Sequence, residues 1–257
     1  DDGKFLWHYI PSQASVVKKK RRLSLGELSK RIRLQKDLIQ QNYTITIEKQ
    51  PQHPVSANVL QPPSVMGDVI VSFQSKAKDR PAWKIWINSE HGLVVRTEIY
   101  DIKGNLALLS AFSELTLQPK LPEKTFTMTV PKGTKVTRSV EQNFQSVKEA
   151  QEHVSFSISE PTYMPSGFIL STVIVSKTKQ GEKIQLAYID GMSSISVFED
   201  KRTSSSTATS PKTSKEVAIN STVKGTFRDH GLLKILDWNL AQDVHVTLIG
   251  EVADSEL

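Results

Sequence analysis

The residues of this chain best suited to proton transfer or metal binding near neutral pH are its six histidines. His8, His53, His91, His153, His230 and His245 are scattered along 257 residues, and none has a partner at the H-E-x-x-H spacing that sets two ligands on one helical face. Cysteine is absent, which excludes disulfides and thiolate metal sites. There is no G-x-S-x-G elbow, Walker loop or G-x-G-x-x-G turn. Paired carboxylates from distant segments leave no sequence trace, so a two-carboxylate hydrolase stays open at this level. Otherwise the inventory describes a non-enzyme with no cofactor. The chemistry that remains is apolar contact. Trp7, Tyr9, Leu28, Ile32, Trp83, Ile85 and Ile87 are the candidates to line a groove for an acyl chain or hydrophobic peptide, if the sheet that carries them curves. Core packing is the alternative for each.

The elements that must position them read mainly as strands. Residues 83–114 form three in tandem. In 83–88, Trp83, Ile85 and Ile87 alternate against Lys84, Trp86 and Asn88, the period of a sheet with one buried face. Glu90, His91 and Gly92 turn the chain into 93–101. A short loop holding Gly104 then leads into 106–112, a hairpin signal. Further strands are expected at 5–10, ended by Pro11, and at 43–49, 67–75 and 125–130. Residues 24–41 predict the one long helix, with Ser24 and Glu27 as a capping box and Leu25, Leu28, Ile32 and Leu38 or Ile39 as an approximate apolar stripe. The basic run Lys18, Lys19, Lys20, Arg21 and Arg22 reads as a solvated loop before that helix, or as an attractor of anionic lipid. Nucleic acid is disfavoured, because no aromatics interleave with the charges and no helix-turn-helix follows.

A boundary is expected near residue 140, dividing the chain into 1–138 and 139–257. Ser146 caps a short predicted helix. Pro161, Pro165 and Gly167 set a turn before a strand at 168–177, and Asp190-Gly191 turns 184–189 back into 195–198. Residues 201–216 are Ser/Thr-rich and read as a flexible excursion. Segments 216–223, 225–229, 232–238 and 243–250 return to strand character. No apolar run approaches the roughly 20 residues that cross a bilayer as a helix, and no signal peptide is visible. With a net charge of +6 the chain is only moderately basic. The fold class is mainly β, of the α+β type.

These residues carry a resemblance. The W-K-I-W-I-N, G-L-V-V-R-T-E-I-Y-D-I-K-G-N and S-A-F-S-E-L series of 83–115 resembles the central strands of the MucB/RseB family. Asp2-Gly3 with Trp7, Tyr9 and Pro11 matches its aspartate-glycine turn and Trp-x-Tyr-x-Pro strand. Tyr188, Asp190, Gly191, Ser194, Ser196, Val197 and Phe198 match its Y-x-D-G-x-x-S-x-S-V-F hairpin, and 246–252 its closing strand. The resemblance implies a LolA-like antiparallel half-barrel with a covering helix, followed by a smaller α+β domain. The family's N-terminal helix and first strands have no counterpart before Asp2, so the half-barrel is expected to lack them. The implied function is negative regulation from the periplasm. Such a protein binds the extracytoplasmic domain of a membrane anti-sigma factor and is displaced by lipid, lipopolysaccharide or misfolded envelope protein; homo-oligomerisation stays open. The alternative is a LolA-like carrier of lipid or lipoprotein acyl chains, for which a second domain is superfluous.

Overall fold

Alternating side chains joined by tight turns pair with their neighbours in sequence, and the computed structural model of the chain shows this most clearly in its centre. It describes residues 2, 4–20, 25–49, 68–138, 140–178, 181–201, 214–240 and 244–256. The capping box at Ser24, the bases Arg21 and Arg22, Gly3, His53 and the Ser/Thr-rich residues 202–213 lie outside these.

Five strands, β3 (Tyr43–Lys49), β4 (Asp68–Ser75), β5 (Ala82–Asn88), β6 (Leu93–Tyr100) and β7 (Leu106–Ala111), form an antiparallel sheet in sequence order. In the β5–β6 turn Gly92 takes φ 66° and its N–H reaches the Asn88 carbonyl at 2.8 Å. In the β6–β7 turn the Asp101 carboxylate accepts from the N–H groups of Lys103 and Asn105 at 2.9 and 2.8 Å, and Gly104 takes φ 83°. Between β5 and β6 the register steps once, between the pairs Trp86–Arg96 and Ile87–Val94. Val95 is therefore an extra residue, a β-bulge whose side chain is buried.

The predicted long helix is α1 (Leu25–Asn42), leading straight into β3. Its last turns pack: Leu38 is buried and Ile39 lies against the five-stranded sheet. Leu28 and Ile32, with 43% and 60% of their surfaces exposed, face away.

Two expectations are corrected here. The basic run is not all loop. Lys18 to Lys20 end a strand, β2 (Ser15–Lys20), which pairs antiparallel with β1 (Phe5–Ile10) and in parallel with β8 (Lys135–Arg138). Pairing is possible because Lys18 and Lys19 contribute their stems and charges to neighbours. The Lys18 ammonium sits 3.8 Å from the Phe5 ring centre and 4.2 Å from that of Trp7, and Lys19 pairs with Glu141 at 2.5 Å. The strand predicted at 125–130 does not form. Pro122 starts a single 3-10 turn, Glu123–Phe126, and no ladder partner lies beside the residues that follow among those described. Alternation without a neighbouring strand is not enough.

The chain leaves the three-stranded sheet at Arg138 and enters an eight-stranded one at Val140. Its members are β9 (Val140–Phe144), β10 (Ile169–Thr178), β11 (Gly181–Ile189), β12 (Ser194–Lys201), β13 (Ser214–Ala218), β14 (Lys224–His230), β15 (Leu233–Asn239) and β16 (Val244–Gly250), in the order β13-β14-β15-β16-β12-β11-β10-β9. A short helix, α2 (Val147–Gln151), is capped by the Ser146 hydroxyl accepting from Glu149 N–H. It brings Ala150, Phe156 and Phe168 over Val173, Val175, Ile184, Leu186, Ile195 and Val197, the largest core of the molecule. Mainly β, of the α+β type with open sheets, describes the whole.

Candidate functional site

Cross-strand register gathers the apolar side chains of the five-stranded sheet on one face. Phe73 stands opposite Trp83 and Trp83 opposite Ile99; Val71 stands opposite Ile85; Val69 opposite Ile87. Tyr43, Val71 and Phe73 are buried, with Ile39, Val69, Trp83, Ile85, Ile87 and Met192 packed around them. The face is not closed at its margins. Ile45 and Ile47 on β3 are 41% and 66% exposed, and Leu108 on β7, opposite Ile99, is 43% exposed. Exposed leucines continue along the edge strand at Leu106 and Leu109. An edge strand with free backbone groups and apolar side chains is a template for another chain.

Of the candidate lining residues, Trp83, Ile85 and Ile87 come together here. Trp7 and Tyr9 stand in the three-stranded sheet, where the Trp7 indole N–H donates to Asp2 at 2.8 Å and its ring meets Phe5 edge-on. The Asp2 carboxyl is held down at about 2, chiefly by that indole bond and by the N–H groups of Phe5 and Lys4. Leu28 and Ile32 form an exposed apolar stripe on α1. The candidates therefore occupy three separate surfaces.

The opposite face of the five-stranded sheet is polar. Trp86 lies between Lys84 and Arg96, at 5.4 and 4.9 Å from its ring centre, and Arg96 pairs with buried Glu98, which also accepts from the Tyr100 hydroxyl. That hydrogen bond to Glu98 raises the proton affinity of Tyr100. No group of three or more His, Cys, Asp or Glu side chains able to hold a metal occurs among the described residues.

The third feature joins the sheets. Asp190, at the β11–β12 turn, accepts from the Tyr43 hydroxyl at 2.9 and 3.0 Å and from its own turn N–H groups at Met192 and Ser193. Arg80, before β5, places Nε 3.3 Å from the Asp190 carboxylate; the alignment is poor for a hydrogen bond, so this contact is ionic. The guanidinium also pairs with Asp79, donates to the Ser166 carbonyl at 3.1 Å, and lies 4.6 Å above Phe168. Asn42, the last residue of α1, donates to the carbonyls of Gly167 and Asp190 at 3.1 and 2.8 Å, and Gln35 to that of Gly191 at 3.0 Å. Burial, and then the Asp190 charge, push the Tyr43 phenol well above its usual range, so it acts as a donor only.

This arrangement of an apolar five-stranded sheet, a helix and a second, larger sheet has counterparts among solved structures. The fold is that of MucB. The MucA/MucB complex structure of Pseudomonas aeruginosa aligns at TM-score 0.52 and 15% identity, over 91% of this chain and 69% of that one. A crystal structure of MucB in complex with MucA(peri) aligns at 0.49 and 15%, covering 85% of this chain and 65% of that one, and one of MucB at 0.48 and 14%, covering 86% and 62%. The chain thus spans about two thirds of the length of these MucB structures. No protein-family model and no curated protein matches it in sequence.

Within this MucB-like fold, sequence reasoning missed Arg80 and the second role of Asp190. Asp190-Gly191 reads as a hairpin turn and is one. Its contact with β3, 147 residues earlier, has no local signal. Arg80 sits in the polar series Lys76–Arg80, where a loop charge is the ordinary expectation.

Proposed function

We propose that this chain is a non-enzymatic binding protein of the bacterial periplasm that holds the extracytoplasmic domain of a membrane anti-sigma factor. The division expected near residue 140 would make it a two-domain clamp, 1–138 and 139–257, joined through Arg80, Asp190 and Tyr43. The observation that carries the reading is the MucB-like fold, extending over 91% of the chain in the comparison with the MucA/MucB complex. The exposed apolar margin of the five-stranded sheet and the Leu28–Ile32 stripe support it as surfaces for an unfolded or helical segment of a partner. Release would follow from competition. Lipid, lipopolysaccharide or a misfolded envelope protein displaces the partner only as far as it prefers the partner-free form.

The test is capture of the protein from solubilised envelope, with the bound proteins and lipids identified by mass spectrometry. One single-pass membrane protein recovered stoichiometrically and lost on adding lipid supports the regulator. Acylated cargo without such a partner contradicts it and points to a carrier.

A further inference from the structure

β7 ends the five-stranded sheet without the usual protection of an edge. Native edge strands are blunted by charged side chains, by proline or by a covering segment. The sequence of β7 is LALLSA, and all six of its residues are exposed. Phe112, just beyond it, is exposed as well. The chain carries no charge between Lys103 and Glu114. Beyond β6, β7 has no ladder partner among the described residues. A register step makes Ala107 an extra residue at the turn end, and Leu108 to Ala111 then pair regularly with β6.

The free backbone groups can be assigned. Phe112 N–H donates to the Val95 carbonyl at 3.2 Å. Successive residues of an antiparallel ladder turn their N–H and C=O to alternate sides. Leu108 and Ser110 therefore face β6, and Leu109 and Ala111 face outward. What fits there follows from the charges at the two ends. A strand running antiparallel, as every pair in this sheet does, starts beside Glu114 and ends beside Lys103. It needs a base, then an uncharged apolar run, then an acid. β7 itself has that order: Lys103, the run through Phe112, and Glu114. Both charged residues are exposed, and neither has an ion-pair partner among the described residues. The strand is complementary to its own copy.

We propose that β7 is a homodimer interface, on which a second copy of the chain adds its own β7 antiparallel across a two-fold axis at Leu109. That axis pairs Leu109 with its copy through both outward backbone groups and sets Leu106 opposite the second copy's Phe112. It also brings Lys103 of each copy beside Glu114 of the other. Ala111 and Phe112 line, with Val94 and Val95, a depression of about 260 Å³, beside which the second copy's Leu106 arrives. The two five-stranded sheets become one continuous sheet with their apolar faces on the same side. One pair of six-residue strands buries less than the roughly 1,600 Å² of a standard interface, so micromolar affinity is expected. The interface does not depend on the anti-sigma factor reading, and it leaves α1 and the opposite edge, β3, free for that partner.

Sedimentation of the full chain over a concentration series tests the proposal. A monomer–dimer equilibrium is expected. Leu109→Lys should weaken it at least tenfold and leave the melting of the monomer unchanged, because the side chain is exposed. Lys103→Glu and Glu114→Lys should each weaken the dimer, and the double variant, which restores opposite charges across the axis, should regain the parent affinity. The chain has no cysteine, so a single introduced one reports the axis. Opposed Cα atoms in such a pair are about 5.5 Å apart, within reach of a disulfide. Leu109→Cys should therefore crosslink on mild oxidation, and Ile47→Cys, on β3, should not. A monomer at tens of micromolar, a dimer that survives Leu109→Lys, a double variant no tighter than the single ones, or crosslinking through Ile47→Cys in place of Leu109→Cys would each overturn it.

Discussion

Asp190 and Arg80 meet with their carboxylate and guanidinium 3.3 Å apart, at 1% and 3% exposure, where the five-stranded and eight-stranded sheets join. Both charges are buried there and depend on their partners. Taking both from water costs several kcal/mol per ion, and the polar contacts of Tyr43, Ser166 and the turn N–H groups offset that cost. Asp190→Ala leaves Arg80 with Asp79 and strands the Tyr43 hydroxyl. A loss of about 3–5 kcal/mol in urea denaturation is expected. Asp190→Asn retains an acceptor for Tyr43 and should lose less. Equal, small losses from both would show that the junction is dispensable.

Gly191 has no room for a side chain. Its φ is 114°, and a Cβ would lie 2.8 Å from the backbone nitrogen of Ile39, on α1. Gly191→Ala therefore costs backbone strain and pushes α1 away from the turn, about 1–3 kcal/mol. The melting temperature should fall, and exchange of the Gln35 and Asn42 side-chain amides should quicken because their acceptors at Gly191, Asp190 and Gly167 move. A Gly191→Ala protein that melts with the parent would contradict the close approach.

Stability should depend on pH through Glu199. Its carboxyl is raised by burial from 4.5 to about 7, against a single opposing hydrogen bond from Ser159. The folded chain thus holds this proton more tightly than the unfolded one, and stability falls as pH rises through that window. The loss is about 2 kcal/mol after allowing for screening. Glu251, also raised by burial, adds in the same direction. Lowered carboxyls such as Glu182, which gains the Ser155 N–H, act oppositely and at lower pH, where stability falls as pH falls. Glu199→Gln should flatten the slope between pH 5 and 7, measured by denaturation at fixed salt.

The exposed apolar positions separate binding from folding. Ile32→Glu and Ile47→Lys change side chains that are 60% and 66% exposed, so their stability cost should stay within about 0.5 kcal/mol. If either surface receives the partner, its affinity should fall at least tenfold in titration calorimetry. Unchanged affinity in both variants would remove α1 and β3 from the interface.

How much of this could be read from the residues follows from what carries local information. The alternation of Trp83, Ile85 and Ile87 and the glycines at 92 and 104 locate β5, β6 and β7 because strand period and turn chemistry are local. The same alternation misled at 125–130, where pairing depends on a neighbour that is not found among the described residues. Lys18 to Lys20 read as solvated because charge suggests exposure, yet they end a strand in which Lys18 lies over the Phe5 and Trp7 rings. Trp83, Ile85 and Ile87 share a face as their period requires. That Trp7, Tyr9, Leu28 and Ile32 lie elsewhere depends on how separate sheets and a helix dock. The Arg80–Asp190 junction and the burial of Glu199 are likewise long-range facts, since a buried carboxylate and a surface one look alike in sequence.

The most direct measurement is titration calorimetry of this chain with the purified extracytoplasmic domain of the membrane anti-sigma factor from its own organism. Stoichiometric binding with micromolar or tighter affinity, weakened by Ile32→Glu or Ile47→Lys and reversed by added lipid, is the expected result. No binding at tens of micromolar, with the chain folded and its melting intact, would contradict the regulatory reading and leave the MucB-like fold without that function.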